Sequence, residues 1–207
     1  MRRGSRLPLE TLAPYLLQVP DPPKPLDLSA VFGNNRPIEI EVGFGKGLFL
    51  LTSALAYAQT NFLGIEIERK YQLFTANRIA KRNLTNVRLV QADARNFLRD
   101  CIPAASVQAI HVYFPDPWWK KRHQKRRVFT AFFVGECARV LQSGGYLHVA
   151  TDVEAYFRVI LDLLRQQSPL REQASLDADP PSAAFTNFER KARERGQPIF
   201  RIAFQRH

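Results

Sequence analysis

Ile38-Glu39-Ile40-Glu41-Val42-Gly43-Phe44-Gly45-Lys46-Gly47 is the segment from which the rest of the chain can be read. Its first five residues alternate apolar and acidic side chains, the period-two pattern of a strand. The next five carry three glycines, which permit a tight turn and a close backbone approach to a ligand. Residues 48–57 then read as a helix, whose N-terminus favours a negative group. Strand, glycine turn and helix in this order form the opening unit of a nucleotide-binding α/β domain.

The same alternation continues outward from this unit. Strands are expected at 61–67, 87–91, 107–114 and 146–151, and helices at 69–82, at 94–99 and around Phe129, Phe132, Phe133 and Val140. Gly144-Gly145 is expected to stop that last helix. Val153, Tyr156, Phe157, Ile160, Leu161 and Leu164 keep the i, i+3, i+4, i+7 spacing of an amphipathic helix. Phe200, Ile202 and Phe204 alternate with polar neighbours and predict a final half-exposed strand. Five strand–helix repeats imply an α/β fold with a mostly parallel, twisted sheet and helices on both faces. Ligands of such sheets sit at the carboxyl ends of the strands.

Residues 1–36 read as an extension. Seven of the chain's 14 prolines fall in the first 37 residues, which leaves little room for regular structure, and Arg2, Arg3 and Arg6 make the tip basic. The domain proper is expected over 37–207. The two cysteines, Cys101 and Cys137, form no CxxC pair or zinc-like cluster and read as buried thiols; no metal site is expected. No apolar run is long enough to span a bilayer or to serve as a signal peptide, so a cytoplasmic protein is expected. Lys and Arg total 30 against 19 acids, a formal charge of +11, which points to a polyanionic partner, nucleic acid before membrane.

Acids recur at the strand ends. Glu41 closes the first strand, two residues before Gly43; Glu66 closes the second and Asp93 the third. With Gly43, Gly45 and Gly47 this arrangement resembles the class I methyltransferases that use S-adenosylmethionine, which implies a Rossmann-like sheet of about seven strands. In that fold Glu41, Glu66 and Asp93 would face the ammonium, the ribose and the adenine of the cofactor. After the fourth strand comes Phe114-Pro115-Asp116-Pro117-Trp118-Trp119, with Asp116 stiffened by two prolines. Seven of the next eight residues are Lys, Arg or His, suited to phosphate, while the two tryptophans offer stacking surfaces.

This loop is similar to the signature of the bacterial tRNA guanine-N7 methyltransferases, as are Thr151-Asp152, the stretch Thr186-Asn187-Phe188-Glu189, and Gly196, Ile199 and Phe200. The resemblance implies transfer of a methyl group to N7 of a guanine in the variable loop, at tRNA position 46. It makes Asp116 the catalytic position and a cofactor contact. It assigns the tRNA to Lys120, Asp152 and the run Thr186, Asn187, Phe188 and Glu189, with Arg122, Lys125, Arg126 and Arg127 on its phosphates. Two other readings remain open at this level: a methyltransferase for an amino nitrogen of rRNA or DNA, and a basic RNA-binding protein without catalysis. A nicotinamide enzyme fits less well, because the glycine spacing is GxGxG. Oligomeric state, monomer or homodimer, is undetermined.

Overall fold

A computed structural model describes residues 6–167, 169–173 and 194–207. Its elements in chain order are α1 (Leu9–Leu12), a 3₁₀ turn (Ala13–Tyr15), β1 (Leu16–Leu17), α2 (Leu28–Phe32), β2 (Ile38–Val42), α3 (Leu48–Ala56), β3 (Asn61–Glu66), α4 (Arg69–Ala80), β4 (Val87–Gln91), α5 (Ala94–Cys101) and β5 (Val107–Tyr113). They continue with a 3₁₀ helix (Lys121–Arg126), α6 (Ala131–Val140), β6 (Leu141–Thr151), α7 (Glu154–Arg165), β7 (Leu170–Gln173) and β8 (Phe200–Arg206).

The described strands form one sheet in the order β1-β4-β3-β2-β5-β6-β8-β7. Strands β1 to β6 pair in parallel, and β8 runs antiparallel between β6 and β7. The expected α/β architecture is therefore present, with one strand more than the expected seven. The addition, β1, is two residues long and comes from the proline-rich segment. That segment is also anchored elsewhere: Asp27 caps α2, Leu28 and Phe32 are buried, and the Leu26 N–H donates to the Cys101 carbonyl.

Side chains alternate across β3 into two apolar layers. Leu63 and Ile65 pack with α5, α6 and α7, whereas Phe62 packs with α3 and α4. Gly64 lies on the α3 side because nothing larger fits: a Cβ there would come within 2.6 Å of Leu50 and 2.7 Å of Phe44. The helix α7 buries Tyr156, Ile160 and Leu164, the predicted stripe. Both cysteines are free and buried, and burial raises both thiols.

One expectation fails at Gly144-Gly145. The helix already stops at Val140, and Leu141 is extended; the glycines lie inside β6, where the register against β5 jumps from Val107–Leu141 to Ala109–Tyr146. They accommodate this irregularity, with Gly144 at φ +78°. Beyond it His148 stacks on His111, and burial followed by the charge of His111 pushes His148 down to about 3, so it is neutral at ordinary pH. His111 in turn bridges Glu39 and Tyr113, each at 2.9 Å.

The close fit at Gly64 gives a stability prediction. Gly64→Ala forces two packed layers apart and should destabilise the fold by about 1–3 kcal/mol. The check is a urea unfolding curve with a lowered midpoint and an unchanged slope.

Candidate active site

The glycine turn leaves β2 immediately after Val42, and the Asp116 loop leaves β5 soon after Val112. These two residues are partners in the parallel register. Ile65 of β3 pairs with Val42, Glu66 with Gln91, and Ala150 of β6 with Tyr113. The loops that carry Asp93, Glu66, Gly43–Gly47, Asp116 and Asp152 therefore emerge side by side along one edge of the sheet.

Within the turn Gly43, Gly45 and Gly47 all have positive φ. At Gly47 the constraint is also spatial, since a Cβ would lie 2.2 Å from Thr75 of α4. Thr75 donates its hydroxyl to the Gly45 carbonyl at 3.1 Å. Glu66 holds the turn from the next strand: one carboxylate oxygen accepts from the Gly45 N–H at 2.9 Å and the other from the Glu68 N–H at 3.0 Å. It braces both the glycine turn and the start of α4. Ile67, which follows it, is 62% exposed, an apolar surface beside the acid.

Glu41 differs from the other acids. It is 4% exposed, and its Oε2 has no hydrogen-bond partner among the described residues. Burial, and then the charge of Glu66, push it up to about 8, with the Leu50 amide opposing. A buried carboxylate without a cation is a costly arrangement, and one that an ammonium group would relieve. Asp93 is already committed. It caps α5 through the Arg95 N–H and is paired with the Arg95 guanidinium at 2.6 Å, and that hydrogen bond holds it below the usual carboxylate range. The other end of Arg95 donates to the Lys125 carbonyl at 3.2 Å, tying the basic segment to the same edge.

Asp116 is exposed, and its side chain accepts no hydrogen bond from the described residues. Its loop is held by the backbone. The Phe114 N–H donates to the Ala150 carbonyl at 2.7 Å, and the Pro117 carbonyl accepts from Arg127 Nε at 2.7 Å. Phe114 and Trp118 both have positive φ, at 52° and 39°. Asp152, one strand over, is exposed as well. Trp118 is half-buried, with Arg126 over its ring at 5.1 Å and His123 edge-on at 5.7 Å; Trp119 is 54% exposed. Lys120, Arg122, Lys125 and Arg126 are exposed, while Arg127 is partly covered by Tyr156 and Trp119. Thr186, Asn187, Phe188 and Glu189 lie outside the described residues. Ile67, Arg95 and Tyr156 join this edge without having been singled out for it from sequence. For Ile67 the signal was present: an apolar residue directly after a strand-end acid.

A family model described as a putative methyltransferase matches residues 35–202. The chain is 37% identical to a tRNA (guanine-N(7)-)-methyltransferase of Rhodopirellula baltica, over 96% of this chain and 77% of that one. It is 41% identical to the Bordetella pertussis protein of the same name, over 91% and 74%. The chain belongs to the tRNA (guanine-N(7)-)-methyltransferase family. Among solved structures, the aminoglycoside resistance methyltransferase NpmB1 shares the fold, with a TM-score of 0.60 at 19% identity over 92% of this chain and 95% of that one. S-adenosylmethionine is the cofactor that this family and fold use. Among the described residues no helix is long and apolar enough to cross a membrane, and no group of three His, Cys, Asp or Glu could hold a metal.

The unpaired state of Glu41 has a measurable consequence. Its folded value, raised from 4.5 to about 8, means that it adds stability below about pH 4.5 and that this contribution is lost as pH rises through 8. Glu41→Gln should therefore gain on the parent protein between pH 5 and pH 9, by roughly 2–5 kcal/mol. Urea titrations of both proteins at the two pH values read this directly; a difference that does not change with pH would show that Glu41 is ionised throughout.

Proposed function

We propose that this protein methylates N7 of a guanine in tRNA, the variable-loop guanine, at the crevice between the Gly43–Gly47 turn and the Asp116 loop. The observation that carries the reading is the Val42–Val112 register, which seats an acid with no cation and an exposed acid on adjacent strand ends.

The residues fit the cofactor. Glu41 offers a buried, unpaired oxygen to the ammonium of its amino-acid part. Glu66 retains unused lone pairs for ribose hydroxyls, Ile67 supplies an apolar wall for the adenine, and the glycine turn permits close approach. Asp93 reaches the adenine amino group with whatever acceptor capacity its bond to Arg95 leaves. When bound, S-adenosylmethionine supplies a methyl carbon made electrophilic by the adjoining sulfonium.

Guanine N7 already carries a free lone pair, so the chain needs no general base there. As the N7–carbon bond forms and the carbon–sulfur bond breaks, positive charge moves onto the guanine ring. Asp116 and Asp152, two exposed carboxylates on neighbouring strand ends, stabilise that charge as it develops. They also accept from the guanine N1–H and N2 amino groups, which adenine lacks in that arrangement. Lys120, Arg122, Lys125 and Arg126 hold the phosphates, and Trp119 offers a face for a displaced base. We assign Thr186, Asn187, Phe188 and Glu189 to the same substrate on family resemblance. A tRNA-modifying role supports a cytoplasmic location.

Incubation with labelled S-adenosylmethionine and unmodified tRNA, followed by digestion, should yield 7-methylguanosine; a methylated amino nitrogen in its place would overturn the reading. Asp116→Asn should slow transfer roughly 100-fold or more, measured in a single turnover. Charge reversal at Lys125 and Arg126 should weaken tRNA binding and flatten its salt dependence while leaving cofactor affinity unchanged. A loss of cofactor affinity would make the basic segment a structural element.

A further inference from the structure

We infer that Arg127 is a positioning residue for Asp116 rather than a phosphate ligand, and that it differs in this from the other cations of its run. The inference rests on the reading that Asp116 acts on the bound guanine.

The first observation is how Asp116 is held. Its carboxylate accepts nothing from the described side chains, and the backbone of its loop sets the direction in which the side chain leaves the chain. That backbone is held on each side by a hydrogen bond: the Phe114 N–H on the Ala150 carbonyl, and the Pro117 carbonyl on Arg127 Nε, both at 2.7 Å. Two non-glycine residues with positive φ, Phe114 and Trp118, flank the acid. Such conformations cost on the order of 1–3 kcal/mol each and persist only where the surroundings hold them. The first bond belongs to the sheet. The second depends on one side chain.

The second observation is what supports that side chain. The Arg127 guanidinium lies 5.1 Å over the ring of Tyr156 and 5.9 Å over that of Trp119. Tyr156 is fully buried in the first turn of α7, on the stripe that continues through Ile160 and Leu164. Arg127 is thus clamped between a core aromatic and the loop carbonyl. The Tyr156 phenol senses both charged groups: burial pushes it up to about 12, Arg127 pulls it down and Asp116 pushes it up. Ring and cation are in contact, and the cation's Nε holds the residue next to the acid.

The third observation is contrast. Arg122, Lys125 and Arg126 are exposed, as phosphate ligands must be, whereas Arg127 is only partly so. Its bond to Pro117 uses Nε, and its stacking uses the guanidinium plane. Lysine has neither feature, although it keeps the charge. A charge-conserving substitution therefore separates the two roles.

The test compares the parent with Arg127→Lys and Arg127→Gln in single-turnover methylation at saturating tRNA, in tRNA binding across a salt series, and in tryptophan emission. The chain has two tryptophans, both in this loop, so emission reports on the loop directly. Both variants should transfer methyl roughly 10–100-fold more slowly, because small misplacements of a reacting group cost factors of this size. Their tRNA affinity and salt slope should match the parent's, and their emission should shift. Arg126→Ala, by contrast, should raise the tRNA KM and reduce the salt slope by about one. Parental turnover and emission in Arg127→Lys would overturn the inference, as would a salt slope reduced by about one in Arg127→Gln with turnover at saturation intact. Because Arg127→Lys keeps the stem and the charge, its melting temperature should stay near the parent's, and that is checked alongside. Absence of tRNA methylation by the parent protein would instead refute the reading of Asp116 on which the inference rests.

Discussion

Between β2 and β5 the order of strands reverses, and that pairing constrains everything at the working edge. Connections to the β3 side carry α3 and α4 across one face, while those to the β6 side carry α6 and α7 across the other. Loops leaving β2 and β5 are thus drawn to opposite faces, and a crevice opens between them. The Val42–Val112 register fixes how far each strand runs before its loop begins. A slip of one residue would turn Glu41 to the opposite face of the sheet and move Asp116 along the edge, because side chains alternate. The apolar layers prevent that slip: Ile38, Ile40 and Val42 are buried in one of them, and any shift would expose them.

Five strand ends carry acids, and their surroundings divide them into three kinds. Glu66 and Asp93 are spent on the protein, one on backbone amides of the turn and the other on a helix cap and Arg95. Glu41 is buried, and its Oε2 has no hydrogen-bond partner among the described residues. Asp116, like the neighbouring Asp152 after β6, stands in solvent. This ordering suits a ligand with a cationic end. The preformed frame is stiff because its acids are bonded to the protein, and the buried Glu41 oxygen that has no partner among the described residues lies where a cation would be held. Electrostatic complementarity of this kind requires little rearrangement on binding, because the groups are already placed.

The alternation of strands and helices was legible because each segment is dominated by its own period. Elements without such a period were not. β1 has two residues within a proline-rich stretch, and β7, Leu170-Arg171-Glu172-Gln173, is an edge strand with a single buried apolar residue, so neither carries a pattern. The glycine pair in β6 looked like a helix stop because its cause, a register jump against β5, involves residues more than 30 positions away. Which acids lie at strand ends could be read from sequence, but how each is used could not. Asp93 is diverted by Arg95, two residues on, and Glu66 by Gly45, in the turn after another strand. Arg127 looked like its neighbours in a basic run, since its partner Tyr156 arrives from a helix three elements later.

The basic segment is also bound into the frame it serves. Lys121–Arg126 forms a 3₁₀ helix, and the Lys125 carbonyl accepts from Arg95, whose other nitrogens hold Asp93. Two residues on from Lys125, Arg127 grips Pro117, next to Asp116. The exposed cations that would meet a polyanion therefore sit on a short strap whose C-terminal part is fastened both to Arg95 at the start of α5 and to the reacting loop. A long flexible arm would bind phosphate equally well but would leave the base free to wander, because charge attraction has little directional demand. Fastening the strap to two parts of the frame turns a nonspecific attraction into a positional one, and alignment of the two reactants is the larger part of what a reaction without a general base requires.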